Sequence, residues 1–145
     1  MFKKMLKNER GLTLIELLAV VVILGIIAAI AVPSIGGMID NSKKDAHIAN
    51  AEQMISSAKL AVTGNENLQP GTSPMYLSLN YLTTNGFIDT VSDPDGSNYV
   101  NGVNTLGGTT EPAANTSYVK VVKSGNSFTY SVTLYGSKRN LPLTE

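Results

Sequence analysis

The sequence contains no cysteine and no tryptophan, one histidine (His47), and only 6% aromatic residues. Without a thiol there is no disulfide to staple an exported domain, no thiolate nucleophile and no thiolate metal ligand. One imidazole supplies neither a second metal ligand nor the partner of a catalytic base, and no glycine-rich phosphate loop is present. Composition therefore argues against an enzyme, and no pattern asks for a cofactor. His47 lies beside Lys43, Lys44 and Asp45 and is expected on a solvated helix face. Aromatic residues are absent from Gly11 to Thr63, so a stacked-aromatic path along that stretch has nothing to run on.

Charge is scarce as well, at 15% of residues, and formally balanced. Its placement is uneven. Lys3, Lys4, Lys7 and Arg10 precede Gly11 with only Glu9 against them, and beyond Gly11 there are 10 acidic residues to 7 basic. Basic residues ahead of an apolar segment favour the cytoplasm, so the amino terminus is expected inside and everything after Ile39 outside. A length of 145 residues leaves room for one small domain beside a long helix.

What the sequence does have is a long apolar run, Leu17 to Val32, continued past Pro33 by Ile35 to Ile39. From Leu12 to Ile39 a helix rising 1.5 Å per residue would be about 42 Å long, enough to cross a hydrocarbon core of about 30 Å. Glu16 sits just inside this run. An acid there costs up to about 2.5–3.5 kcal/mol at the helix centre and less near its end, so something should compensate for it. The abrupt change from charge to hydrocarbon at Gly11 reads as a processing site.

At Gly11-Leu12-Thr13-Leu14-Ile15-Glu16, with Gly25 and Pro33 further along, the chain resembles the type IV pilin superfamily: type IV pilins, type II secretion pseudopilins and competence pilins. The shared pattern is a glycine before the scissile bond, a hydrophobic first mature residue, a glutamate at the fifth mature position, and a proline about a third of the way along the first helix. The likeness is strong over roughly Lys3 to Leu60 and weak beyond. It implies cleavage between Gly11 and Leu12, N-methylation of Leu12, and roles in subunit assembly for Glu16, Gly25 and Pro33. Leu12 stands where the family usually has phenylalanine. Many members also close a carboxy-terminal loop with a disulfide, which this chain must replace with sheet hydrogen bonds and packing. The resemblance further implies partners: a prepilin peptidase and N-methyltransferase, the cytoplasmic or inner membrane with its pilus assembly machinery, and further copies of the chain in a helical homopolymer.

A competing reading is an ordinary signal peptide, since Ala29-Ile30-Ala31 satisfies the small-x-small rule and predicts a mature start at Val32. Against it, the apolar run exceeds the usual h-region of about 7–15 residues and contains Glu16.

After Ile39 nothing forces the helix to stop. Ile48, Ala51, Ile55, Ala58 and Val62 recur three and four apart, an amphipathic face that predicts one helix from Leu12 to about Thr63, with Gly64 as a positive-φ stop. Pro33 leaves the Ala29 carbonyl without its helical partner, and Gly25, Gly36 and Gly37 add backbone freedom. This weak section is either a kink or, as the resemblance implies, a stretch that loses helix on assembly.

Residues 65–74 read as a loop, and Leu79 to Asn85 as a short helix ended by Gly86, with Phe87 and Ile88 tucked into the core. Asp93-Pro94-Asp95-Gly96 reads as a type I turn, preferred over a calcium loop of the kind some pseudopilins carry, because calcium wants about six or more oxygens. Residues 98–115 read mostly as loop, with a short strand at Tyr99 to Val103. Asn115-Thr116-Ser117 is a formal glycosylation sequon of little weight. Tyr118 to Lys123 and Ser127 to Tyr135 flank Ser124-Gly125-Asn126 and predict an antiparallel hairpin, with Phe128, Tyr130, Val132 and Leu134 on one face. That face needs the helical stripe as its cover.

The expected fold is thus α+β: a long amino-terminal transmembrane and amphipathic helix packed on a small carboxy-terminal antiparallel sheet, pilin-like and ladle-shaped. Its expected parts are a removed cytoplasmic leader (residues 1–11), a transmembrane or filament-core half-helix (12–39), and an extracytoplasmic head carrying the amphipathic half-helix (40–145). The expected function is a structural subunit of a type IV pilus or pilus-like filament, held as a single-pass membrane protein and then assembled at the bacterial surface. The alternative is a competence or secretion pseudopilin whose head serves DNA uptake or adhesion. Lys120, Lys123, Lys138 and Arg139 form the one basic cluster available to DNA, and strand alternation separates Lys120 from Lys123, so direct DNA binding is disfavoured. A signal-anchored domain that never polymerises is a third reading. The sequence leaves open whether Glu16 pairs with the Leu12 amine of its own helix or of a neighbouring subunit.

Overall fold

The computed structural model describes the backbone of residues 2–102 and 107–144, and within it the side chains of residues 13–102 and 107–141. Helix α1, Phe2–Gly64, runs through Pro33 without interruption. It contributes to two units, one up to Ser42 and one from Lys43 onward. In the first unit every large apolar side chain from Leu14 to Ile39 is more than half exposed, as a segment built for lipid or for other copies would be.

In the second unit α1 packs on a sheet. One core gathers Ala51, Met54, Ile55, Ala58, Ala61 and Val62 of α1 with Leu77, Val119, Val121, Val132 and Leu134 of the strands. Burial of each large aliphatic side chain is worth about 1.5–3 kcal/mol, and in a cysteine-free head this term carries the stability. The buried stripe begins at His47 rather than at Ile48, which is 39% exposed. Ala51, Ile55, Ala58 and Val62 of the expected face are buried, Met54 and Ala61 join them, and Ile48 alone of that stripe falls at the margin, its place taken by His47. Gly64 ends the helix as expected but is not a positive-φ cap. Instead Asn65 turns extended, with φ −142° and ψ 108°, and caps a 3-10 turn, Glu66–Leu68.

The sheet has four antiparallel strands in the order β1 (Met75–Ser78), β2 (Tyr118–Ser124), β3 (Ser127–Tyr135), β4 (Asn140–Thr144). The expected hairpin is β2–β3, with Ser124 opposite Ser127. Gly125 takes φ +61°, the angle a type II′ turn needs at its first central residue. Register places Leu77, Val119 and Val132 in one row and Met75, Val121 and Tyr130 in the next. Tyr130, Val132 and Leu134 are buried as predicted, and Phe128 packs at the margin. Helix α2, Leu79–Thr84, is capped by Ser78, whose hydroxyl accepts from the Tyr81 amide, and Gly86 follows at φ +73°. Tyr99 to Gly102 form no strand, contrary to expectation, and Val103 lies outside the described residues. Tyr99 is buried instead to serve a hydrogen-bond network.

Candidate functional site

Two regions carry chemistry. The first is the amino-terminal helix. Gly11 and Leu12 lie in α1, outside the residues whose side chains are described. Glu16 is exposed on the apolar stretch, and among the described residues its carboxylate has no hydrogen-bond or ion-pair partner. An acid flanked by Leu14, Ile15, Leu17 and Leu18 has no place to spread its charge once those side chains enter hydrocarbon. Around Gly25 a Cβ would meet nothing within 4 Å, so no close contact within this chain accounts for a glycine there. Pro33 sits inside the helix, where the ring removes one backbone donor.

The second region lies within the second unit, and sequence reasoning missed it. His47, expected on the surface, is 0% exposed. The helix phase that turns Ala51 and Met54 inward also turns His47 inward, toward the 92–99 loop. The Asp93-Pro94-Asp95-Gly96 turn forms as predicted: the Gly96 amide donates to the Asp93 carbonyl at 3.1 Å, and the Asp95 amide to Asp93 Oδ1 at 2.8 Å. Its carboxylates do more than make a turn. Asp93 is 5% exposed, and the Asp95 side chain 1%. His47 Nε2 lies 3.4 Å from Asp93 Oδ1 and 3.2 Å from Asp95 Oδ2.

The other side of the imidazole fixes its tautomer. Asn50 Nδ2 donates to the Tyr99 hydroxyl at 3.2 Å, which frees the phenolic proton for His47 Nδ1, 2.5 Å away. Nδ1 is then the acceptor and Nε2 carries the proton toward the two carboxylates. Burial pushes the Tyr99 phenol above its ordinary range, against a lowering by Asn50, and the nearby Asp93 and Asp95 charges push it further.

The carboxylates are also held from the chain's far end. Arg139 Nε donates to Asp95 Oδ2 at 2.6 Å and Nη2 to Asp95 Oδ1 at 3.2 Å, while Lys43 stands 3.6 Å from Oδ1. The Arg139 hydrogen bond is the main reason the Asp95 carboxyl lies below its ordinary value. For Asp93 burial pushes the pKa up, but amide donation from Ser137 and Asp95 and the Ser137 hydroxyl outweigh it. Gly136 makes this approach feasible: a Cβ there would lie 2.8 Å from Asp93 Oδ2 and 2.9 Å from the Arg139 carbonyl.

His47, Asp93 and Asp95 present three ligand atoms within 4.8 Å of one another, a donor set a divalent cation could use. Charge and protons argue against that use. Arg139 and Lys43 already balance the two carboxylates, and a dication would add a net double charge to a buried site. It would also displace the Nε2 proton that the Tyr99 bond places there. The cluster fits a fully hydrogen-bonded ion network, and among the described residues no buried side-chain polar atom lacks a partner. Of the basic residues considered for DNA, Arg139 is spent on Asp95, and Lys120 lies over the Tyr76 ring, 5.8 Å from its centroid.

Residues 6–32 match the family model described as the prokaryotic N-terminal methylation motif. No curated protein and no solved structure matches the chain. The match falls on the segment that holds Arg10 to Glu16 and Gly25, and it is the leader signature of type IV prepilins. Motif and fold together support a type IV pilin-like or pseudopilin protein, point to a structural role, imply processing by a prepilin peptidase, and fit anchoring in a membrane through the apolar helix.

Proposed function

We propose that the chain is the subunit of a type IV pilus or pilus-like surface filament. In this reading it waits in the membrane through residues 12–39, loses residues 1–11 by cleavage after Gly11, is methylated at Leu12, and polymerises through the apolar half of α1. The observation that carries the reading is Glu16: a carboxylate without a partner among the described residues, on an apolar helix whose large side chains are more than half exposed, inside the segment matched by the methylation motif. Cleavage creates a cation, the Leu12 ammonium, which methylation keeps charged. In a low-dielectric filament core an unpaired charge is strongly unfavourable, and Glu16 and this ammonium can neutralise each other. Before cleavage the cation does not exist, so processing gates assembly. Gly25 and Pro33 bracket the stretch where the helix gives way as subunits pack.

The test is Glu16→Gln, which keeps the shape and removes the charge. In cells with no wild-type copy, the variant should insert and lose its leader normally, yet yield few or no filaments. A normal filament yield from processed Glu16→Gln subunits would overturn the reading.

A further inference from the structure

We propose that the cluster around His47 is a non-covalent clasp that fastens the turn before β4 to the helix, so that residues 136–144 open as a local unit when its carboxylates lose their charge. The clasp does for this cysteine-free head what a covalent loop closure would do, and it stands whether or not the chain polymerises.

Three segments distant in sequence meet there. Helix α1 supplies Lys43, His47 and Asn50, the 92–99 loop supplies Asp93, Asp95 and Tyr99, and the turn after β3 supplies Ser137 and Arg139. The turn has a handle on each carboxylate. Ser137 reaches Asp93 Oδ2 with its amide at 2.7 Å and its hydroxyl at 2.9 Å, and Arg139 grips both oxygens of Asp95. The Asn50 amide also donates to the Ser92 carbonyl at 3.1 Å, so the loop is moored to the helix apart from the carboxylates. Neutralising Asp93 and Asp95 therefore releases the turn and leaves the loop in place.

The boundary of the opening unit is also visible. At the end of β3, the Tyr135 amide donates to Ser117 Oγ at 3.0 Å, and its carbonyl accepts from the Val100 amide at 3.0 Å. Residues before 136 are thus held by bonds outside the clasp. Beyond it, β4 is a five-residue edge strand, paired among the described residues with β3 alone, and it carries Pro142, a residue strands accept at an edge. A short strand at the edge of a sheet is the first part to open once its approach is unfastened. The charged and titratable groups facing the carboxylates are Lys43 and His47 from α1, Tyr99 from the loop and Arg139 from the turn. Of these, Lys43 and Arg139 set two positive charges beside the two acids.

The test is hydrogen exchange of the full chain in detergent, read by mass spectrometry and corrected for intrinsic exchange at each pH. Peptides from 118–135 serve as the internal reference. In wild type at pH 7 the 136–144 region should be protected. Asp95→Asn keeps the side chain's shape and should raise exchange in 136–144 at least tenfold at pH 7 while 118–135 stays protected, and wild type at pH 3 should show the same pattern. Arg139→Gln should reproduce it from the other side of the bond. Equal protection of 136–144 in Asp95→Asn and wild type would overturn the proposal, and so would loss of both regions together in the variants or at pH 3. Opening of 136–144 on treatment with EDTA at pH 7 would show that a metal, and not the ion network, holds the segment.

Discussion

His47 and Gly136 show how much a single residue decides in this head. His47→Ala removes the acceptor of the Tyr99 proton and the donor facing two carboxylates, all of them buried. Leaving such groups unsatisfied costs about 1–3 kcal/mol, and the expected result is a lower denaturant midpoint for the full chain in detergent with an unchanged slope. An unchanged midpoint would mean that the imidazole is passive filling. Gly136→Ala should destabilise by about 1–3 kcal/mol through overpacking, because the new methyl group meets the Asp93 carboxylate. Gly125→Ala differs in mechanism: space around it is open, and the penalty of about 1–2 kcal/mol comes from the positive φ that the β2–β3 turn demands. Asparagine should not recover that loss, because the first central position of a type II′ turn suits glycine, and at Gly136 every larger residue meets the same carboxylate.

At the scale of elements, α1 and the β2–β3 hairpin were legible in the sequence because each repeats one period many times. Apolar residues three and four apart carried the helix past Ile39, and Phe128, Tyr130, Val132 and Leu134 set the strand face. Strand β1 was not legible. Met75-Tyr76-Leu77-Ser78 is only four residues long and buried throughout, so it shows no alternation, and it runs directly into α2. Strand β4 was hidden by Pro142, which argues for a strand only at an edge, where β4 lies. The methylation-motif segment could be read because it packs spacing and chemistry into a few contiguous residues. The clasp could not, since even directly bonded partners such as His47 and Tyr99 lie 52 residues apart and only the tertiary fold brings Asp93, Asp95 and Arg139 to His47. The signal that was present, and overlooked, was the phase: Ala51, Met54, Ala58 and Ala61 place His47 inside and Ile48 at the margin.

For the whole molecule, Asp93 and Asp95 predict how stability depends on pH. Both carboxyls are more acidic in the folded head than their ordinary 3.8. Groups of this kind stabilise the fold fully above the unfolded value and lose that contribution as pH falls through the lower folded one. The melting temperature set by these two groups should therefore be level from pH 7 down to about 4 and fall below it, with a shallower fall in Asp95→Asn. A melting temperature that rises on acidification below that point would contradict the ion network. The same molecule-wide view bears on the amino-terminal half. The apolar stretch from Leu14 to Ile39, with every large side chain exposed, fits anchoring in a membrane, and the proposed function has other copies cover it after assembly. The most direct test is the intact mass of the subunit recovered from sheared surface filaments of cells carrying only this chain. The account predicts filaments whose subunit begins at Leu12 and carries one added methyl group. A mature chain beginning at Val32, the product of cleavage after Ala31, would mean that the helix is discarded and would contradict it.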